Sequence, residues 1–172
     1  MASHLLVVLM ALLIGVVAGL RSMTAPAAVA WAAHLGWQNW NDISDSHWAT
    51  WVGSLATAVI FTVLAVGELV SDKLPRTPAR TAPASFVARI IAGGFAGAVI
   101  GGVILNTPSG FAWTGAGAGI VGAVLGTVGG NHARRKLVAV LGGRDLPVAL
   151  LEDAVAVLGG FAVVWGVSTL TL

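Results

Sequence analysis

Five apolar stretches, each long enough to cross a lipid bilayer, constrain this chain more than any other feature. They cover residues 5–20, 48–70, 85–105, 111–128 and 146–170. A hydrocarbon core is about 30 Å thick, so a helix rising about 1.5 Å per residue needs roughly 20 apolar residues to cross it. With 57% of residues hydrophobic and 9% charged, the chain has too little polar surface to dissolve a core of its own in water. The expected architecture is all-α: one integral membrane domain over residues 1–172, a bundle of about five transmembrane helices.

The connections between the stretches carry a sign. Residues 36–47 hold Asp42 and Asp45 and no Lys or Arg, whereas residues 72–83 hold Lys73, Arg76 and Arg80, and residues 134–144 hold Arg134, Arg135, Lys136 and Arg144. Basic loops stay on the cytoplasmic side, which predicts a multi-pass protein of the inner (plasma) membrane, N-terminus cytoplasmic and C-terminus outside. Indole rings settle at membrane interfaces, and Trp37, Trp40, Trp48, Trp51, Trp113 and Trp165 all fall toward the predicted outer side. The opening MASHLLVVLMALLIG has the apolar core of a secretion signal, but it lacks a Lys or Arg and leads into further apolar sequence, so it reads as the first span.

That first span meets an obstacle. Continued from Leu5 to Gly36, one helix would be roughly 48 Å long, well beyond the bilayer core. Arg21, Ser22, Thr24 and Pro26 interrupt it. The pattern predicts a broken helix: either a kink near Arg21, or a span followed by a half-helix over residues 24–36 in or on the membrane, with Thr24 as N-cap and Pro26 in its first turn. Whether it crosses is left open by the sequence. Gly129, Gly130, Asn131 and His132 mark a similar break in the fourth span, with a second half-helix over residues 132–141. Two broken helices in spans of opposite direction are the mark of an inverted repeat, a further expectation.

Glycines recur at four-residue spacing: Gly15 and Gly19; Gly93, Gly97 and Gly101; Gly115 and Gly119; Gly122, Gly126 and Gly130. Such rows let helix backbones approach closely where lipid supplies no hydrophobic drive for association. Packing within one chain is the first use for them, and homo-oligomerisation through one such face the second.

A charge inside a membrane costs about 2.5 to 3.5 kcal/mol on insertion scales, so each one needs a partner or a wet cavity. Glu68 and Asp72 stand one helical turn apart and face the same way. Arg89 lies one turn inside the third span, and Glu152 and Asp153 lie one to two turns inside the last. Ion pairing between spans, for instance Arg89 or Arg134 with Glu152 or Asp72, is the plain expectation; carboxylates that carry protons or cations are the sharper one. Arg21 precedes a helix start, where unpaired N–H groups favour an anion, so Arg21 with Thr24 forms a candidate anion site; the alternatives are a counter-charge for a carboxylate and a side chain that snorkels to the outer interface. Asn131, His132 and Arg134 form a similar candidate at the basic end, where Lys73 also lies and where contact with anionic lipid is expected.

With these residues in view, the chain resembles the small bacterial integral membrane proteins grouped as the domain-of-unknown-function 4126 family. The resemblance covers nearly the whole chain and rests on GLRS (19–22), ELVSDKLP (68–75), NHARRK (131–136) and LLED (150–153). It implies a multi-span inner-membrane protein and brings no activity with it.

Several classes are excluded. No cysteine is present, so there is no disulfide, thiolate metal site or thiol nucleophile. HExxH, a phosphate-binding Gly-Lys-Ser/Thr loop and the GxSxG elbow are missing, and Ser22 with His34 lacks a third orienting group, so neither an enzyme nor a metal or other cofactor is expected. Nine basic residues spread over loops do not make a nucleic-acid surface. The sequence thus points to a small transporter or channel-like protein moving an anionic or proton-coupled solute past Arg21, Asp72 and Glu152. The alternatives are a non-transporting scaffold or accessory subunit, and a lipid-handling protein.

Overall fold

The computed structural model describes residues 2–37, 47–72, 82–104 and 110–170. Seven helices and no strand occur among them: α1 (Ala2–Leu20), α2 (Thr24–His34), α3 (His47–Val52), α4 (Leu55–Ser71), α5 (Pro83–Ile104), α6 (Gly110–Val140) and α7 (Asp145–Leu170). Three of them contain segments long and apolar enough to cross a membrane, Pro83–Gly102, Ala112–Val140 and Asp145–Thr169; α1 and α4 carry shorter apolar segments, Val8–Leu20 and Leu55–Ser71.

The glycine rows build the centre. α1, α5 and α6 press backbone to backbone: a methyl at Gly15 would overlap the carbonyl of Gly119, one at Gly97 the carbonyl of Gly115, and one at Gly122 the carbonyl of Leu12. Apart from Gly130, which lines a groove, these row positions face the chain's own helices. Thr127, fully buried on α6, donates to the carbonyls of Gly19 at 3.2 Å and Ala123 at 2.8 Å, so it covers one of the acceptors left open at the end of α1.

Those contacts also fix directions. Gly15 meets Gly119 and Gly19 meets Ala123 and Thr127, so α1 and α6 run parallel. Gly93 meets Gly119 and Ala123 while Gly97 meets Gly115, so α5 runs against α6. Val17 lies beside Gly159 and Arg21 beside Asp153, so α7 runs against α1. Met23 meets Glu68, Trp31 meets Thr62 and His34 meets Gly53, so α2 runs against α4. The chain therefore descends along α1 to the end that carries Arg134, Arg135, Lys136 and Arg144, reverses at Arg21–Met23, and climbs again along α2. We call that end the basic face.

Three expectations are corrected by this path. The start of α1 and the end of α7 lie on the same side, opposite the basic face, rather than on opposite sides as the loop charges suggested. The break at Arg21 is a reversal, so Arg21 itself sits at the basic face. And because α1 and α6 run in the same direction, they are not the opposed halves of an inverted repeat.

Local chemistry accounts for the element ends. α6 is unbroken through Gly129 and Gly130, against the expected half-helix over 132–141; it stops instead at Gly142 and Gly143, whose φ of 66° and 86° suit a residue without Cβ. There Gly143 N–H bonds to Val138 O and Gly142 N–H to Ala139 O, the double bond of a glycine C-cap. Gly36 ends α2 in the same way. The second apolar stretch divides into α3 and α4, because Ser54 accepts a hydrogen bond from Thr57 N–H and starts a new helix. Away from the basic face the tryptophans gather: Trp37 packs edge-on against Trp165 and Phe161, and Trp51 against Phe61 and Phe95. Trp40 and the side chain of Trp48 lie outside the described residues.

Candidate functional site

The reversal between α1 and α2 leaves a cation and a helix start side by side at the basic face. Thr24 is the first residue of α2 rather than its cap: Met23 occupies the cap position and no side chain of the turn bonds back to it. The missing cap comes from α4. Glu68 accepts from Ser22 N–H through Oε1 and from Met23 N–H through Oε2, both at 2.9 Å. The anion expected at this helix start is thus a carboxylate of the chain itself.

Arg21 is fully buried and joins two carboxylates from different helices. Its guanidinium bonds to Asp72 Oδ2, one turn beyond Glu68 on α4, and Nη2 lies 2.6 Å from Asp153 Oδ1 on α7, an ion contact without hydrogen-bond alignment. Arg89, 2% exposed on α5, reaches Glu68 Oε1 at 3.4 Å with Nη2 and donates from Nη1 to Ser85 Oγ at 2.7 Å. Arg21, Glu68, Asp72, Arg89 and Asp153 therefore converge from the hairpin turn, α4, α5 and α7. Removing one member of a buried pair costs about 3–5 kcal/mol, because it strands the other charge.

A second group ties α6 to α7. Arg134 grips Asp145 with a two-pronged contact, Nε to Oδ1 at 2.9 Å and Nη2 to Oδ2 at 2.7 Å, and reaches Glu152 Oε2 at 3.4 Å. Asp145 opens α7, where its charge also suits the helix dipole. Between α6 and α7 lies a groove of about 150 Å³, walled by Leu20, Leu137, Val148, Leu151 and the Arg134–Glu152 pair. Another groove, of about 160 Å³, runs between α2, α4 and α7 beside Trp31, Thr62, Leu69 and Phe161. Thr24 lines it, and the Thr24 hydroxyl is buried without a hydrogen-bond partner. Arg21 lines neither groove.

Of the residues singled out in the sequence, the first cluster unites Arg21, Glu68, Asp72, Arg89 and Asp153, with Thr24 one helical turn away, and the second unites Arg134 and Glu152. Arg89 pairs with Glu68, a carboxylate outside the pairs expected for it. Asn131 and His132 lie on α6 before Arg134 and join no ion pair or hydrogen bond among the described residues; Lys73 lies outside them. Asp145 and Ser85 were missed. Asp145 was legible as an acidic helix start just after a glycine turn and close to Arg134. Ser85 stands four residues before Arg89, on the same helix face. No group of three or more His, Asp or Glu placed to hold a metal ion occurs among the described residues.

Apart from Arg89 and Asp145, these charged residues come from four short stretches of the chain: Arg21 from GLRS, Glu68 and Asp72 from ELVSDKLP, Arg134 from NHARRK, and Glu152 and Asp153 from LLED. No family model, curated protein or solved structure matches the chain in direct comparison.

Proposed function

We propose that this chain is a polytopic protein of the bacterial inner membrane, a member of the domain-of-unknown-function 4126 family, acting as a small proton-coupled carrier of an anionic solute. Its basic face lies toward the cytoplasm by the charge rule, which puts the start of α1 and the end of α7 outside; α1, α4, α5, α6 and α7 cross, and α2 carries the chain back toward the outer side between α1 and α4, a sixth traverse.

One observation carries the functional reading: Arg21, at the reversal of a helical hairpin, is held entirely by carboxylates of two other helices. Helix association does not need such charges, since the glycine contacts of α1, α5 and α6 supply it. Buried ion pairs contribute little net stability over apolar packing, whereas intramembrane ionisable groups mark ion and proton pathways. Protonation of Asp72 and Asp153 removes their hold on Arg21, and an anion then takes their place. The same event loosens α4, whose basic end is tied down through Glu68 and Asp72. The groove beside Thr24 lies next in line along α2.

The test is a pH-sensitive dye trapped in proteoliposomes, read while chloride, phosphate and carboxylate anions are added outside in turn. Coupled proton entry with one of them, lost in Arg21→Ala and Asp72→Asn, supports the proposal. Wild-type vesicles that behave like empty ones with every anion, while the protein remains folded, defeat it. A second reading, a scaffold in which the charges form a static lock, is favoured by the complete burial of Arg21. It predicts that Asp72→Asn changes stability alone.

A further inference from the structure

The groove between α6 and α7 has a feature that carriage does not use. Its walls are apolar apart from Arg134 and Glu152, and it opens beside exposed Leu137, Leu151 and Val155. Val140, Leu141, Leu146 and Leu150, around the turn that closes it, are also exposed. Three cations stand at the same end: Arg135 and Lys136 next to Arg134 on α6, and Arg144 in the turn. All three are exposed, and none forms an ion pair with a carboxylate among the described residues. Arg134 differs from them, because Asp145 and Glu152 already neutralise it.

We propose that this groove is a binding site for an anionic diacyl phospholipid, with one acyl chain between α6 and α7 and the phosphate on Lys136, at the edge of the groove-lining face of α6, and Arg144 in the turn. The proposal rests on the basic face being a membrane surface and does not depend on carriage. An apolar slot of about 150 Å³ that ends beside exposed positive charge complements a phospholipid in both halves. A free anion would use only the cations, and a zwitterionic lipid only the slot. Each basic residue at an anionic lipid surface contributes roughly fivefold in affinity.

The experiment is native mass spectrometry of the detergent-solubilised full chain, titrated with phosphatidylglycerol and with phosphatidylcholine of the same acyl chains, and separately with inorganic phosphate. Phosphatidylglycerol is expected to bind at least tenfold more tightly, with that preference shrinking as salt rises. The Lys136→Ala/Arg144→Ala variant should bring it down to the phosphatidylcholine level, while Arg135→Ala, on the far face of α6, should leave the preference largely in place. Ala133→Leu, which narrows the slot, should weaken both lipids alike and leave phosphate unaffected. Equal binding of the two lipids by the wild-type protein overturns the proposal, and so does phosphatidylglycerol binding that Ala133→Leu leaves unchanged, which would mark a simple anion patch. The wild-type comparison decides the matter even where a variant does not fold.

Discussion

Replacing Arg21 by Met tests the central cluster most directly. The side chain is fully buried, and its loss leaves Asp72 and Asp153 facing each other across α4 and α7 with their shared cation gone. Removing one partner of a buried ion pair costs about 3–5 kcal/mol, and here two like charges lose the cation between them, so Arg21→Met should lower the folded-to-unfolded ratio more than a hundredfold. The triple variant Arg21→Met/Asp72→Asn/Asp153→Asn removes the cation and both anions together. Because the two facing like charges are then removed as well, it should recover most of the loss, by at least about 2 kcal/mol relative to Arg21→Met. Reversible unfolding by sodium dodecyl sulfate in mixed micelles, followed by tryptophan fluorescence, measures both. The carrier reading adds that the triple variant is folded and carries nothing. Arg21→Met within about 1 kcal/mol of wild type, or a triple variant as unstable as the sum of its parts, would refute the picture of a mutually compensated buried cluster.

Other consequences are as direct. Gly119→Ala drives a methyl into the carbonyl of Gly93, and since both sides are backbone it should destabilise by about 1–3 kcal/mol, whereas Gly117→Ala, which meets nothing, should be neutral or gain up to about 1 kcal/mol; paired thermal melts decide. Ser54→Ala removes the cap of α4 and should cost about 1 kcal/mol, less than Glu68→Ala, which frees two N–H groups and strips Arg89 of a carboxylate; denaturant titration ranks them. The chain has no cysteine, so single cysteines at Leu5, Thr169 and Arg144 can be probed with an impermeant maleimide. Leu5 and Thr169 should label from one side and Arg144 from the other; Leu5 labelling together with Arg144 would overturn the reversal at Arg21.

Much of the cluster was legible residue by residue. Glu68 and Asp72 share a face because they are four apart on a helix, and Arg134 with Glu152 was an expected pair. What the chain order could not supply was the geometry of the break. Residues 21 to 26 announce an interruption in any context, but a kink and a reversal use the same breakers. The choice between them was made by Glu68, which bonds to the turn from 46 residues away, and by Asp72 and Asp153. Applied to Arg21 itself, the charge rule would have placed it with the other basic residues.

By itself, then, the amino-acid order determined the helical, membrane-like character of the chain, the glycine rows that set backbone contact, and the separation of cations from tryptophans. Those are properties of composition and period, which act locally on whatever helix carries them. Tertiary structure alone decided which way α1 runs and that Arg21 meets Asp72 and Asp153 in particular. Each of these turns on contacts between segments far apart in the chain, where packing and charge compensation outweigh local preference.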